Sequence, residues 1–291
     1  MKTIKAFYKD EKGYYCNPVG TKFYFEVGKT YKAKGKIRLC ENGFHASANF
    51  DISDTVGYYY VSESIYYGIV ELNVIDKDEN KAVGDKITVL EFLPTDFDIL
   101  SKYDKTGIWI YLAGRYWKKF DFKKGMDKLF EVDKTGEWVY KAGIYWKKFD
   151  FGRSLEKLLE VDKTGEWIYK AGYVWKKFDF QKGMDKLLKV DKTGEWIYKA
   201  GCDWKKFDLI KGMNKLLEVD EIGQWIYYAG INWKQFDFER GMEKLLEVDN
   251  TGEWIYYAGC DWREFDYVRG YNKLLVVDRT NMWRREADIN W

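Results

Sequence analysis

A fixed period of 29 residues runs through the C-terminal two thirds of the chain. Its most regular element is the tetrapeptide Asp-Lys-Thr-Gly, which begins at Asp104, Asp133, Asp162 and Asp191 and has degenerate copies at Asp220, Asp249 and Asp278. Two tryptophans eight residues apart follow every copy, and these pairs account for all 14 tryptophans of the protein. A constant period of about 20 to 50 residues is the signature of a solenoid or array, so we expect a repeat architecture here.

The first helix of each unit is predicted by the spacing of its apolar residues. In the unit 120–148, Asp121 is a suitable N-cap, because its carboxylate can accept hydrogen bonds from the unpaired backbone N–H groups of the first turn. Apolar residues then recur at i, i+4, i+7 and i+8, on one helical face: Phe122, Met126, Leu129 and Phe130. Gly125 lies on the same side, and we expect it to let a neighbouring helix approach closely.

The second helix of this unit is predicted to run from Glu137 to Lys148. Its inward stripe follows the spacing i, i+3, i+4 and i+7: Val139, Ala142, Gly143 and Trp146. Lys147 and Lys148 fall in the predicted last turn, where positive charge offsets the helix dipole. The two prolines of the chain lie outside the repeats, as expected for segments that are almost wholly helical.

A single helical hairpin cannot cover its own apolar stripe, so stacked neighbours must do so and the end units must differ from the rest. The last unit carries Arg284, Arg285 and Asp288 where most other copies have Ile, Tyr and Gly. This replacement predicts a polar C-terminal cap, and we interpret the array as complete. We expect residues 94–291 to form an all-α solenoid of about seven repeats.

Residues 1–93 contain no tryptophan and no period. Three segments rich in β-branched and aromatic residues predict strands: KFYFEVG, YYGIVELNVI and KITVLEFL. The segment NVIDKDENKAVGDKITVL is typical of two strands joined by a charged loop, and DISDTVGYYY (51–60) is a candidate short helix. We therefore expect a small, β-rich α+β domain over residues 1–93, with Pro94 near the boundary.

The most distinctive motif of the N-terminal domain is LCENGFHAS, from Leu39 to Ser47. Together with the tyrosine-rich stretch, the YGIVEL strand and the DK hairpin that follow, this CxxGFH motif resembles a poorly characterised N-terminal domain of phage and other mobile-element proteins. The AGxxW helical units are similar to HEAT-like repeats found in the same kinds of protein. The resemblance covers most of the chain, and it implies an origin more than an activity.

Cys40 and His45 within this motif are candidate catalytic residues, because a thiolate and an imidazole can together attack an acyl group. The alternative is a structural role, since no recognisable orienting acid or oxyanion-hole signature accompanies them. The phosphate-binding motifs GxGxxG and GxxxxGKS/T are absent from the sequence. With one histidine and no CxxC pair we predict no metal site, and we predict no cofactor.

The balance of charge bears on the class of partner. The 49 basic and 47 acidic residues leave a net charge of +2, which argues against a dedicated nucleic-acid binder. The N-terminus lacks the apolar segment of a signal peptide, and no stretch approaches about 18 uninterrupted apolar residues. We read the four cysteines as reduced thiols and expect a cytoplasmic protein without membrane contact.

Residues that differ between the repeats concentrate on the outer face of the second helix. They are basic and aromatic in the early copies and aromatic or small and polar in the later ones. As candidate partner-binding residues we select Arg115, Tyr116, Lys119, Lys141, Tyr145, Lys148, Lys170, Tyr173, Lys177, Lys199, Lys206, Tyr228, Asn232, Tyr257 and Asp261. One interpretation is a graded recognition face, and the other is duplication of two-unit blocks with lysines that offset helix dipoles.

These features favour a non-catalytic interaction protein that binds a host protein or nucleoprotein through its solenoid surface. Given the resemblance, the specific hypothesis is a phage-encoded inhibitor of a bacterial defence system, comparable to an anti-CRISPR protein. Two alternatives remain open. One is an enzyme whose small N-terminal domain is directed to its target by the repeats, and the other is an RNA-binding helical-repeat protein.

Overall fold

The computed structural model describes residues 1–17, 20–57 and 61–291. Residues 1–150 and 151–291 form two compact units. Residues 58–60, which end the candidate short helix DISDTVGYYY, lie outside the described residues. Within the described ranges, no helix combines the length and the apolar character that crossing a bilayer requires.

The first unit opens with the β-strands β1 (Lys2–Asp10), β2 (Gly13–Cys16), β3 (Phe23–Phe25), β4 (Thr30–Lys32), β5 (Phe44–Ser47), β6 (Tyr66–Lys77) and β7 (Lys81–Leu93). They form one sheet in the order β3-β2-β1-β6-β7-β4, and β5 also pairs with β7. All of these pairings are antiparallel. The sheet forms a β-rich half-barrel, and the strands predicted from the three β-type segments are confirmed.

The main hydrophobic cluster of the half-barrel is built around Phe7. Phe7 has no exposed surface and meets Phe25 edge to face, with ring centroids 5.3 Å apart. Leu72 and Ile87 from the long β6–β7 hairpin complete this cluster. The candidate short helix is present as a 3-10 helix, Ile52–Thr55, which Asp51 caps by accepting a hydrogen bond from the first turn at 2.9 Å.

The α-helices of the described chain are α1 (Phe97–Leu100), α2 (Ile108–Tyr116), α3 (Phe122–Val132), α4 (Glu137–Tyr145), α5 (Phe151–Val161), α6 (Glu166–Val174), α7 (Phe180–Val190), α8 (Glu195–Asp203), α9 (Leu209–Val219), α10 (Gln224–Asn232), α11 (Phe238–Val248), α12 (Glu253–Asp261), α13 (Tyr267–Val277) and α14 (Met282–Asn290). From α2 onward, helices of 9 residues alternate with helices of 11. The predicted fold class, a β-rich domain followed by a helical repeat array, is confirmed. The domain boundary between residues 93 and 94 stays a prediction.

Helix α3 shows why the first helix of a repeat begins where the sequence predicts. Asp121 precedes it and accepts hydrogen bonds from two backbone N–H groups of the first turn, at 3.0 and 3.1 Å.

The expectation that Gly125 lets a neighbouring helix approach closely is wrong. A Cβ at Gly125 would lie 2.2 Å from Cζ of Phe120, so the Phe120 ring, and not a neighbouring helix, occupies that space.

The second helix of a repeat is shorter than the sequence predicts. Helix α4 ends at Tyr145, three residues before Lys148. Trp146 has an extended backbone (φ −76°, ψ 136°), and its N–H donates to the Ala142 carbonyl at 2.9 Å. Because the chain leaves the helix at Trp146, Lys147 and Lys148 lie in the following turn, and their predicted place in the last helical turn is wrong.

The aspartate of the Asp-Lys-Thr-Gly turn is almost completely buried and caps the helix that follows. Oδ1 of Asp191 accepts hydrogen bonds from the N–H groups of Thr193 and Gly194, at 2.9 and 3.0 Å. Oδ2 accepts from the N–H groups of Trp196 and Ile197, each at 2.9 Å. Its negative charge therefore lies at the positive end of the helix dipole, and the turn both ends one helix and starts the next.

Tryptophans connect successive repeats of the second unit. The indole N–H of Trp204 donates to the Tyr169 carbonyl at 3.0 Å, and its ring lies against Gly172 of the same earlier repeat. The other tryptophan of that later repeat, Trp196, meets the Tyr169 ring with centroids 5.6 Å apart. Aromatic packing and one hydrogen bond thus join neighbouring helical hairpins.

Within the first unit, the first repeat packs on the half-barrel. Trp109 is fully buried, and its indole N–H donates to the Tyr67 hydroxyl on β6 at 3.0 Å. Burial raises the pKa of Tyr67 to about 12. The turn carboxylate of this repeat, Asp104, also accepts a hydrogen bond from the Ser53 hydroxyl at 2.5 Å. Buried polar contacts therefore fix the start of the array on the β-rich domain.

Candidate functional site

One position of the second helix is half-buried in five successive repeats, where it is occupied by Lys141, Lys170, Lys199, Tyr228 and Tyr257. Lys141 forms an ion pair with Glu137 at 2.5 Å, and its ammonium lies 4.2 Å from the centre of a Trp138 ring. The other two lysines make the same contacts with the matching residues of their own repeats. These predicted partner-binding lysines therefore pair with a glutamate of their own repeat and pack over its first tryptophan.

At the same position of the later repeats, tyrosine rings pack against the tryptophans in place of the lysines. The Tyr228 ring lies between Trp225 and Trp254, at centroid distances of 6.0 and 5.9 Å. Tyr257 lies 6.1 Å from Trp254 and 5.5 Å from Trp283. The change from lysine to tyrosine that the sequence shows along this position changes which group packs over the tryptophans.

Asn232 and Asp261 bond to a tyrosine of the preceding repeat. The Asn232 amide donates to the Tyr198 hydroxyl at 3.0 Å, and the Tyr227 hydroxyl donates to the Asp261 carboxylate at 2.5 Å. Burial, and after it the bond to Asp261, holds the pKa of Tyr227 well above its ordinary value. Since an aspartate accepts and an asparagine donates, the alternation of the two residues preserves one bond between repeats.

A neighbouring helix position carries exposed side chains that are mostly apolar or contain sulfur. In the second unit we call its residues the exposed ridge: Tyr173, Cys202, Ile231, Cys260 and Ile289. Tyr173 is 63% exposed, Ile231 44% and Ile289 77%. The selection of polar and aromatic residues from the sequence includes Tyr173 but misses the two isoleucines. The signal that finds them is a large aliphatic residue on a helix face opposite the buried stripe.

In the first unit the ridge position is occupied by Arg115 and Ile144, and Arg115 lies in a small exposed cluster with aromatic rings of the position that follows it. The Arg115 guanidinium lies 4.3 Å from the centre of the Tyr145 ring and 5.1 Å from that of Tyr116. It also donates to the Tyr111 hydroxyl at 3.4 Å. The structure therefore brings together three of the residues that the sequence selects, and two of their rings remain about half exposed.

The remaining predicted lysines lie in the turns after the second helices and are exposed: Lys119, Lys148, Lys177 and Lys206. Each follows another lysine, so these four repeats present a pair of positive charges at the same turn. In the next two repeats the second residue of the pair is Gln235 or Glu264. Since Lys234 and Arg263 remain as the first residue, only the paired positive charge is confined to the earlier repeats.

Cys40 and His45 are close, but their contacts are not those of a catalytic pair. Nε2 of His45 accepts a hydrogen bond from the backbone N–H of Cys40 at 3.0 Å, while the Lys81 ammonium donates to the Cys40 sulfur at 3.4 Å. Burial, followed by the charges of Lys5 and Lys81, lowers the pKa of His45 to about 4. The imidazole is therefore neutral at pH 7 and holds the Cys40 backbone in place.

None of the four cysteines, all of which lie in the described ranges, forms a disulfide bond. Among the described residues, no group of three or more His, Cys, Asp and Glu side chains is arranged to hold a metal ion.

Comparison with known proteins finds a match only for the N-terminal part of the chain. Residues 1–100 match the family model described as a domain of unknown function (DUF7666). This span contains the half-barrel and the CxxGFH motif. No curated protein matches the chain significantly, and no solved structure does. The match agrees with an uncharacterised family and brings no activity with it.

Proposed function

We propose that the protein is a non-catalytic interaction protein whose helical repeats bind another protein. The observation that carries this proposal is the exposed ridge. Large apolar side chains such as Tyr173, Ile231 and Ile289 are exposed at one helix position of the repeats, where a folded chain gains nothing from them. Repeated exposed apolar groups on a rigid helical scaffold are typical of a protein-binding surface.

The charges beside this surface indicate the chemistry of the partner. In the second unit, Lys176 and Lys177 follow α6, which carries Tyr173, and Lys205 and Lys206 follow α8, which carries Cys202. All four are exposed. A partner that presents an apolar patch bordered by carboxylates complements this arrangement, and opposite charge at the rim speeds association. We therefore propose an acidic protein surface as the occupant.

The resemblance of the CxxGFH motif and the AGxxW units to mobile-element proteins supports a more specific form of the proposal. In that form the chain is phage-encoded and inhibits a bacterial defence system, in the manner of an anti-CRISPR protein. The bound host component is a defence nuclease or its nucleoprotein complex. Occupying the surface of such an enzyme needs no catalysis by the inhibitor.

The two alternatives have less support from the geometry. For an enzyme, the Cys40 thiol would need a base, and the nearby His45 Nε2 instead accepts from the Cys40 backbone. For an RNA-binding array, the lysines of the second helices would need to reach phosphates, and Lys141 is instead paired with Glu137 over a tryptophan, which leaves only the exposed turn lysines for that role. Both remain predictions.

The test uses the immobilised full-length protein as bait in a bacterial lysate. The ridge variant is Ile231→Asp, and the matched control is Ile210→Asp, which places the same charge at an isoleucine of α9 that is 68% exposed. We expect wild type and Ile210→Asp to retain the same protein in about equal molar amount. We expect Ile231→Asp to lose it, because a carboxylate cannot be buried against an apolar partner.

Circular dichroism of both variants checks that the helices are intact. Recovery of no stoichiometric protein by wild type overturns the proposal, and so does equal loss in both variants. A parallel lysate treated with nuclease addresses the RNA alternative. If nuclease abolishes capture and purified RNA restores binding to the bait alone, the repeats bind RNA and the protein-binding proposal fails.

A further inference from the structure

The half-barrel contains a large open cavity that the proposed function does not use. Its volume is about 830 Å³, and its walls include residues of β1, β2, β3 and β5 and of the segment that follows β4. A smaller cavity of about 170 Å³ lies beside it, and both are lined by Lys5 and His45. Cavities of several hundred cubic ångströms are large enough for a small-molecule ligand.

Lys5 is the residue that makes the cavity unusual. It lies on β1 within an otherwise apolar run and is only 7% exposed. Its ammonium donates to the His45 carbonyl at 2.6 Å, which uses one of its three N–H donors. Among the described residues, no carboxylate lies within salt-bridge distance of it. A buried charge is costly unless it is paired, so an anion supplied by a ligand is the missing partner.

Other groups make the surroundings of Lys5 positive. Lys81 lines the smaller cavity, and Lys32 and Lys34 line the larger one. Burial is the main reason that the pKa of His45 is lowered, and the charges of Lys5 and Lys81 lower it further.

The nearby carboxylates do little to offset these positive charges. Glu41 lines the larger cavity but is exposed and forms an ion pair with Arg38 at 3.1 Å. Asp54 in the smaller cavity already accepts hydrogen bonds from Ser47 and Asn49, at 2.7 and 3.0 Å. Lys5 therefore keeps an unmatched positive charge next to both cavities.

Aromatic rings form another part of the wall of the larger cavity. They come from Tyr8, Tyr15, Phe23 and Phe44, none of which is buried. Rings of this kind stack on the planar face of a heterocyclic base and tolerate any base. The cavity thus combines anion-binding lysines with stacking surfaces at one site.

We propose that this cavity binds a nucleotide. The phosphate accepts hydrogen bonds from the Lys5 ammonium, and Lys81, Lys32 and Lys34 add long-range attraction. The base packs against the aromatic wall. His45 positions the site, since its backbone carbonyl accepts from the Lys5 ammonium and Nε2 of its neutral imidazole accepts from the Cys40 N–H. This site is separate from the exposed ridge and does not depend on its partner.

Isothermal titration calorimetry of the full-length protein tests the proposal. The probes are ATP, GTP, CTP and UTP one at a time, together with inorganic phosphate and adenosine. Lys5→Met removes the ammonium and keeps a long apolar side chain in the buried position. Lys9→Met is the matched control, because Lys9 is an exposed lysine of the same strand that does not line the cavity.

We expect at least one nucleotide to bind wild type and Lys9→Met equally, and to bind Lys5→Met at least about tenfold more weakly. We also expect it to bind more tightly than phosphate or adenosine alone. Absence of binding by all four nucleotides, or equal affinity for Lys5→Met, overturns the proposal. Phosphate binding as tightly as the best nucleotide overturns the part played by the aromatic wall and leaves a simple anion site.

A thermal unfolding curve separates loss of the site from loss of the fold. Because Lys5 is a buried charge without a carboxylate partner, we expect Lys5→Met to unfold at the same or a higher temperature than wild type. A marked fall in its unfolding temperature shows that Lys5 is needed for folding and contradicts the assignment of a ligand-binding role. Lys5→Gln, which retains a donor to the His45 carbonyl, is the second variant for the binding comparison.

Discussion

The indole ring of Trp204 occupies the space in which a side chain at Gly172, one repeat earlier, would begin. A Cβ at Gly172 would lie 2.5 Å from Cε2 of Trp204. The same relationship recurs in four further pairs within the units: Gly114 with Trp146, Gly201 with Trp233, Gly230 with Trp262 and Gly259 with Trp291. Glycine in the second helix is thus the condition for stacking one repeat on the next.

Gly172→Ala tests this condition. In an isolated helix, alanine in place of glycine is stabilising by about 1 kcal/mol. Here we expect the free energy of unfolding to fall by about 1 to 3 kcal/mol, because the added methyl group displaces a buried ring that is hydrogen-bonded to Tyr169. Urea denaturation followed by circular dichroism measures it. Lys177→Ala, at an exposed turn position, is the control and should change little, whereas stabilisation by Gly172→Ala would contradict the packing described.

The buried turn aspartates give a second prediction, with an internal comparison. Asp191 is 1% exposed and caps a helix through both carboxylate oxygens, whereas Asp179 caps α7 from an exposed position. We expect Asp191→Ala to lower the free energy of unfolding by about 3 kcal/mol or more, since it leaves several buried N–H groups unpaired. We expect Asp179→Ala to lower it by only about 1 kcal/mol. Equal effects in urea denaturation would mean that burial of the carboxylate is unimportant.

The contact between the half-barrel and the first repeat gives a third prediction. Tyr67→Phe removes the hydroxyl that accepts the indole N–H of Trp109 and leaves that buried donor without this partner. We expect a loss of about 1 to 3 kcal/mol in the free energy of unfolding. The control is Tyr66→Phe at the adjacent, partly exposed position on β6, which should cost much less. The prediction fails if the two variants unfold at the same urea concentration.

The sequence predicts those features of the fold that depend on local chemistry. The 29-residue period, the apolar spacing after Asp121 and the capping carboxylate itself are all readable from consecutive residues, and α3 begins where they predict. The early end of α4 is different. Trp146 leaves the helix and donates its indole N–H to the Tyr111 carbonyl of the preceding repeat at 2.9 Å. That contact joins residues 35 positions apart, so no local pattern indicates it.

In the candidate sites, too, local patterns are predictable from the sequence and contacts between distant residues are not. The outer face of the second helix is readable from periodicity, and it includes Tyr173. The engagement of Asn232 with Tyr198 is not readable, because it depends on how one repeat sits on another. The cavity of the half-barrel depends on the tertiary contact between β5 and β1, strands that are not paired with each other, which brings the His45 carbonyl to Lys5. In sequence, Lys5 appears as one more lysine of a charged N-terminus.

His45 gives the last prediction, a pH dependence of stability that one residue should account for. It is the single histidine of the chain, and burial together with Lys5 and Lys81 lowers its pKa from 6.5 to about 4 in the folded protein. Between these two values the unfolded chain binds more protons than the folded one. The stability that His45 contributes is therefore present above pH 6.5 and is lost as the pH falls toward 4.

The unfolding temperature at pH 7.5 and at pH 5.0 measures this effect. We expect wild type to unfold at a lower temperature at pH 5.0. His45→Gln keeps an acceptor for the Cys40 N–H but cannot titrate, so the difference between the two pH values should shrink markedly in that variant. The carboxylates are the same in wild type and in His45→Gln, so their contribution to the pH dependence cancels when the two proteins are compared. An equal fall in unfolding temperature for wild type and His45→Gln would assign the pH dependence to other groups and contradict the buried, neutral imidazole.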